Sequence, residues 1–282
     1  MKKLAIIIIA IVLLCSTPCI AELSKEDIFN EILQQRIYFI EVFQQAIKNN
    51  PDDAEAHCSL GVVYCKTGMY KEAIEAFKQA ISIKPDYAEA HYNLGVAYDS
   101  LATEYEYVLG MHKKAIESYK QAIEPFKQAI RIKPDYAEAH QYLGDAYSKS
   151  GMHQEAIESL KQAIRINPDY AEAHKNLGDA YGSLGKHKKA IESYKQAIRI
   201  KPDFAEAHQN LGFIYDSLGM YKEAIEPYKQ LIRIDPDDAW SHYSLGIAYS
   251  ALNDRGSALE QYKILKKLDT EWANKLFNEI YE

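Results

Sequence analysis

Clustered positive charge is missing from this chain. Lys and Arg number 33 against 40 Asp and Glu in 282 residues, for a net charge of −7 at pH 7. The cations are scattered, and an acidic chain without a Lys/Arg block lacks the contacts that nucleic-acid phosphates require. Catalytic signatures are missing as well. There is no Gly-rich phosphate loop, no Gly-x-Ser-x-Gly and no Cys-x-x-Cys. Cysteine is scarce: Cys15, Cys19, Cys58 and Cys65 are all there are. The last two fall seven residues apart on one predicted helix, about 10 Å along its axis. A disulfide needs Cα atoms within about 7 Å. Two thiols are therefore expected rather than a bond.

Long apolar runs are rare too, and the one present is terminal. Leu4 to Leu14 is apolar throughout, follows Lys2 and Lys3, and leads to Pro18, Cys19 and Ala21. That is the layout of an export signal cut after Ala21. Without its two lysines the mature chain carries −9. The run is shorter than the ~20 residues of a membrane span. No span is thus expected after cleavage, and the protein is expected to be exported, periplasmic or secreted. An uncleaved anchor over Leu4 to Ile20, holding the chain at the inner membrane, is the alternative. Cys15 and Cys19 follow Leu14 and Pro18, which are not the small residues that lipoprotein signals resemble.

What is abundant is repetition. Ala-Glu-Ala-His recurs at Ala54, Ala88, Ala137, Ala171 and Ala205, with a looser copy at Ala239. The intervals are 34, 49, 34, 34 and 34 residues. Counting from each first Ala, position 4 is His, positions 7 and 8 are Leu-Gly, and position 11 is Tyr in all six copies. This is the i, i+3, i+4, i+7 spacing of one helical face. Positions 20 and 24, such as Ala190 and Tyr194, mark a second helix, and Gly at position 15 (Gly68, Gly151, Gly185, Gly219) divides the two. A Pro then stops the second helix. Asp-x-x-Glu, as in Asp86/Glu89, Asp135/Glu138, Asp169/Glu172, Asp203/Glu206 and Asp52/Glu55, reads as a capping box opening the next unit.

This pattern closely resembles the tetratricopeptide repeat family: the 34-residue period, Leu-Gly-x-x-Tyr, Ala-x-x-x-aromatic and the closing Pro. The resemblance runs from Ala54 to about Asp269. His at position 4 departs from the family's Trp, and the sixth unit lacks the Pro and carries Asn253 and Gly256 at its turn. The resemblance implies an all-α fold, a right-handed α-solenoid of six helix hairpins with N- and C-terminal capping helices. The expected layout is a signal peptide over 1–21 and a degenerate helical cap over 22–53. Repeats one to six follow over 54–87, 88–136, 137–170, 171–204, 205–238 and 239–269, then a capping helix over 270–282. In that last helix Ala273, Leu276/Phe277 and Ile280 form the apolar stripe.

The 49-residue unit carries two insertions. Eight residues, Ala102 to Leu109, precede Gly110, and a heptad is duplicated as ESYKQAI then EPFKQAI. Seven residues make about two helical turns. Lengthening both arms of a hairpin together keeps them paired, with Leu101, Tyr105 and Val108 continuing one stripe and Ala115/Ile116, Ala122/Ile123 and Ala129/Ile130 the other. Pro125 predicts a kink in the second arm or the start of a separate helix. Tyr105 and Tyr107 are the candidate secondary contact.

The His residues at position 4 recur one per unit, about 10 Å apart by helix packing. A metal needs ligand nitrogens near 2 Å. They are read as filling the aromatic packing slot, with no metal, no cofactor and no enzymatic activity. Function falls instead on the surface lined by the first helices. The family lines that groove with positions 2, 5, 6, 9, 12 and 13. The candidates here are Tyr92, Asn93, Asp99, Gln141, Asp145, Lys175, Asn176, Asp179, Gln209, Asn210, Phe213, Asp216, Tyr243 and Ile247. Glu at position 2 is set aside as a cap. The middle is acidic and amide-rich and the late part apolar. The asparagines resemble ladders that hold an extended peptide backbone. No unit pairs Lys at position 5 with Asn at 9, so the family's carboxylate clamp is missing. The expectation is a protein-interaction scaffold of the cell envelope that binds an extended basic or mixed segment. The alternative is a structural protein that assembles through its caps and the extended hairpin.

Overall fold

A computed structural model describes residues 25–281, with side chains from residue 34 onward. The expected signal peptide, with Cys15 and Cys19, lies outside the described residues. The chain divides into two compact units, residues 1–85 and 86–282.

The first unit contains α1 (Lys25–Asn49), α2 (Ala54–Lys66) and α3 (Tyr70–Ile83), with α1 packed on α2 and α2 on α3. Cys58 and Cys65 remain thiols on α2. Burial pushes the Cys65 thiol up to about 11, which keeps it protonated and unreactive.

The second unit contains five helix pairs and a terminal helix: α4 (Ala88–Thr103) with α5 (His112–Ile132), α6 (Ala137–Lys149) with α7 (His153–Ile166), α8 (Ala171–Ser183) with α9 (His187–Ile200), α10 (Ala205–Ser217) with α11 (Tyr221–Ile234), α12 (Ala239–Ala251) with α13 (Arg255–Leu268), and α14 (Thr270–Tyr281). Each helix packs on the next, and α4, α6, α8 and α10 also touch in succession as an inner row. No strand occurs among the described residues.

Small residues set the spacing within a pair. Gly178 lies so close to α9 that a Cβ there would stand 2.5 Å from Tyr194 Cε1. The inter-helix turn needs a left-handed residue, and Gly68, Gly110, Gly151, Gly185 and Gly219 supply it at φ 61–80°. Asn253 takes that place in the last pair at φ 59°. Asn tolerates this region better than other side chains, which accounts for the altered turn there.

Two local expectations are corrected. The aspartates of Asp-x-x-Glu do not cap. The N-cap residues are Tyr87, Tyr136, Tyr170 and Phe204, one position later, and none makes a side-chain cap bond. The cap position is occupied by a ring that packs; Phe204, for example, is 5% exposed against Ala171, Ala197 and Ala207. Where the ring is replaced by aspartate, true caps form: Asp53 accepts from Ala56 N and Asp238 from Ser241 N. The recurrent histidine is also more than a space filler. Nε2 of His57, His140, His174, His208 and His242 lies 2.9–3.1 Å from the carbonyl oxygen of the Pro six residues earlier. A carbonyl only accepts, so Nε2 carries the hydrogen and pins the turn.

The extended hairpin pairs over its whole length. Phe126 packs against Gly95; seven residues outward on each arm, Tyr119 clusters with Ala102, Ala115 and Tyr105. The duplicated heptad thus repeats the same knob and hole. The first arm finishes as a π-helical turn, Glu104–Val108, rather than as two α turns. That turn carries Val108 and Tyr107 outward, at 75% and 78% exposed, so Val108 leaves the expected stripe. Ile116 is likewise exposed at 43%. Pro125 sits buried inside α5, which runs unbroken as one helix. At the C-terminus Ala273, Leu276 and Ile280 are buried as a stripe, while Phe277 is 42% exposed against Tyr262 and Tyr281. Leu276 takes the place against Gly246 that aromatic or Leu side chains of second helices take elsewhere.

Candidate functional site

The inner row of first helices places residues at i, i+3, i+4 and i+7 on one face. On α6 these are Glu138, Gln141, Tyr142 and Asp145; on α8, Glu172, Lys175, Asn176 and Asp179. Between them and the start of α10 lies a cavity of about 660 Å³. A second, of about 280 Å³, lies along Asp179, Asn210 and Phe213 between α8, α9 and α10. The structure therefore brings together Gln141, Asp145, Lys175 and Asn176 in one cavity, and Asp179, Asn210 and Phe213 in the next.

The expected acidic character is largely neutralised from within. Asp145 binds Lys149 at 2.9 Å, and the same ammonium stands 3.5 Å from Asp99 and 4.6 Å from the centre of the Tyr119 ring. Burial opposes that charge on Lys149, but Asp145 and Asp99 more than offset it and hold the ammonium above its usual range. Asp179 accepts from Tyr194 Oη at 2.8 Å, Asn210 Nδ2 at 2.7 Å and Lys175 Nζ at 3.3 Å. Burial and Asp179 push the Tyr194 phenol up, so it donates. Asp216 accepts from Tyr228 Oη at 2.5 Å. Asp179 and Asp216 join neighbouring helices, whereas Asp145 pairs with Lys149 on its own helix; all three are thus engaged within the chain.

Burial raises the Asp99 carboxyl to about 6 from 3.8, Lys149 only partly opposing it. Its folded pKa lies above the unfolded one, so between these two values the folded state binds more protons. The stability this group lends is present below pH 3.8 and is lost as pH rises through 6. Asp99→Asn, neutral at every pH, removes that step. Thermal melts of both proteins are expected to show the variant gaining on wild type from pH 4 to pH 7, by up to about 3 kcal/mol. Equal offsets at both pH values would show that Asp99 is not the titrating group.

Other candidates fall outside the cavities. Tyr92 packs in an aromatic cluster with Phe126, Tyr136 and Tyr142, ring centres 4.9–6.0 Å away. Asn93 is half-buried on α4, and Gln209 is exposed on α10. Tyr243 and Ile247 are half-buried and pack against the C-terminal helix, Tyr243 with its ring 4.5 Å from Trp272. The apolar end of the inner face is where the chain docks its own last helix. Tyr105 is half-buried and Tyr107 stands at the hairpin tip with Val108 and Leu109.

Sequence reasoning missed Tyr142, Lys149, Tyr170, Glu172, Lys201, Phe204 and Glu206, all of which line the larger cavity. Glu172 and Glu206 had been assigned to capping, which the structure removes. The signal for Tyr170 and Phe204 was present: an aromatic precedes the first Ala in four of the six units. Asn176 is 6% exposed and lines the larger cavity; its side-chain amide makes no hydrogen bond to any described residue and is open to the cavity rather than fully buried. No group of side chains suited to a metal occurs among the described residues, and no described helix is long and apolar enough to cross a membrane.

A family model described as TPR repeat matches residues 63–101, 106–151, 144–185, 178–219 and 214–253, and one described as Tetratricopeptide repeat matches 42–75. No curated protein matches the chain. Among solved structures, MamA is 32% identical with a TM-score of 0.51, covering 64% of this chain and 96% of its own. PilF of Pseudomonas aeruginosa is 22% identical with a TM-score of 0.60, over 80% of this chain and 97% of its own. YrrB, described as a TPR protein with an unusual peptide-binding site, is 22% identical with a TM-score of 0.52, over 72% and 96%.

Proposed function

This chain belongs to the tetratricopeptide repeat family, an all-α solenoid fold that serves as a protein-interaction scaffold, and on that premise we propose that it binds an extended peptide segment of a protein partner along α6, α8 and α10. Members of the family are generally non-enzymatic, and no catalytic family matches the chain. The observation that carries the reading is Asn176, a largely buried residue at the wall of the 660 Å³ cavity whose side-chain amide bonds to no described residue and is open to that cavity. An amide offers one donor group and one acceptor, the complement of a peptide unit. Gln141 stands beside it on the preceding first helix, its Oε1 engaged by Tyr170 Oη at 3.2 Å. Phe213, 66% exposed at the second cavity, offers an apolar contact for the next part of the same segment. Carboxylates and ammonium groups both line the larger cavity, which suits a segment of mixed charge.

The test is selection from a displayed library of random linear peptides, followed by affinity measurement on the winners. Asn176→Leu, close in shape, strands the peptide's polar groups at about 1–3 kcal/mol each. Affinity is expected to fall about ten-fold or more, with Tm nearly unchanged. Recovery of no peptide, or equal binding by the variant, would remove the basis for this reading.

A further inference from the structure

The repeat contains its own template for a ligand. In two of the turns between units, a lysine three residues before the N-cap aromatic covers that ring. Lys133 Nζ lies 4.6 Å from the centre of Tyr136, and Lys201 Nζ 4.7 Å from that of Phe204. Lys201 also stands 3.9 Å from Glu172, at position 2 of the preceding first helix. One repeat earlier, 34 residues back, the corresponding residues are Asn167, Tyr170 and Glu138. The ring and the carboxylate are kept and the cation is replaced. Asn167 turns its Oδ1 back to the Asp169 N–H at 3.2 Å, and no cation lies over Tyr170 among the described residues.

Tyr170 lines the 660 Å³ cavity, and Glu138 lies on the face of α6 that carries Gln141, Tyr142 and Asp145 into it. Glu138 also acts on Tyr170: burial first, then this carboxylate, raises the phenol. The cations already nearby are engaged elsewhere, Lys149 with Asp145, Lys175 with Asp179 and Lys201 with Glu172. Glu138 and Glu206 have no ion-pair partner among the described residues. The unbonded amide of Asn176 faces the same cavity. Aromatic face, unpaired carboxylates and a free amide together are the complement of a guanidinium or ammonium group.

We propose that this cavity receives an arginine or lysine side chain of the bound segment, its charged end over Tyr170 and paired with Glu138, as Lys201 sits by Phe204 and Glu172. The proposal rests on the reading of the groove as a peptide site and adds the residue class it recognises.

The probes are N-acetyl-arginine N-methylamide and its uncharged isostere, N-acetyl-citrulline N-methylamide, titrated while the Asn176 side-chain amide is followed by NMR. The arginine probe is expected to bind at least about ten-fold more tightly. Asn167→Lys supplies the lysine that other units carry at this exposed turn, so the fold should stand. It is expected to weaken the arginine probe by about ten-fold by occupying the place itself. Glu138→Gln, on the surface, should weaken it by roughly three- to five-fold. Equal binding of the two probes, or no effect of Asn167→Lys, overturns the proposal. Selected peptides that bind wild type and Asn167→Lys alike would sink this inference and leave the groove standing. A library that yields nothing, while the arginine probe still shifts Asn176, would sink the groove reading instead.

Discussion

Replacing Phe126 with Ala is expected to cost about 3–5 kcal/mol of folding stability, measured by chemical denaturation. Phe126 is fully buried, its ring fits against Gly95, and it belongs to the core shared by α5 to α12. The hole it leaves cannot close, because glycine faces it. Tyr119 is equally buried and occupies the matching place one heptad outward, yet it belongs to a separate small cluster at the hairpin end. Tyr119→Ala is therefore expected to open residues 102–119 locally, seen as faster amide exchange there, with a smaller loss of global stability. If both substitutions gave the same global loss, the hairpin end would be part of the main cooperative unit and the duplicated heptad more than an appended turn.

Gly178→Ala and Gly182→Ala, on one helix, are expected to act in opposite directions. A Cβ at Gly178 stands 2.5 Å from Tyr194 Cε1, and that ring is tethered by its hydroxyl to Asp179 at 2.8 Å. It cannot retreat without breaking the bond. The variant is expected to lose about 1–3 kcal/mol, the usual cost of overpacking, and to loosen the Asp179–Asn210 contact beside the second cavity. A Cβ at Gly182 meets only Tyr194 Oη, at 3.9 Å. Its gain in helix propensity should add about 0.5–1 kcal/mol. Denaturation midpoints decide both, and a neutral Gly178→Ala would mean that the helix pair can slide apart freely.

The long-range order was legible in the sequence because it is written as a period. A phased Leu-Gly, Tyr and Ala-x-x-x-aromatic specify two helices and a close approach, and Gly or Asn marks the turn where φ must be positive. The extended hairpin was legible from the matched insertions, apart from its π-helical finish, for which the sequence carries no period. The caps were misplaced by one residue. Asp-x-x-Glu satisfies the spacing of a capping box, but the ring that follows each Asp must pack, and it takes the cap position with it. The sequence located the polar positions of the inner face but not which of them pair with one another. Asp145 and Asp179 do lie at the cavities, but Asp145 is paired with Lys149 on its own helix and Asp179 is bonded across to Tyr194 and Asn210.

The sequence by itself determined the repeat, the helix pairs, the paired lengthening of α4 and α5, and the inner face on which amides and carboxylates recur. These depend on helical spacing within about seven residues and on its recurrence at a fixed period along the chain. Only the tertiary structure decided which polar groups remain available. Asp179 is satisfied by Asn210, 31 residues on, and Gln141 by Tyr170, 29 residues on. Asn176 is left unbonded. Tyr243 and Ile247 pack, half-buried, against the last helix. Such pairings join neighbouring units across roughly one repeat. A hydrogen bond forms only when both groups arrive within about 3 Å, and that distance is set by how the units stack.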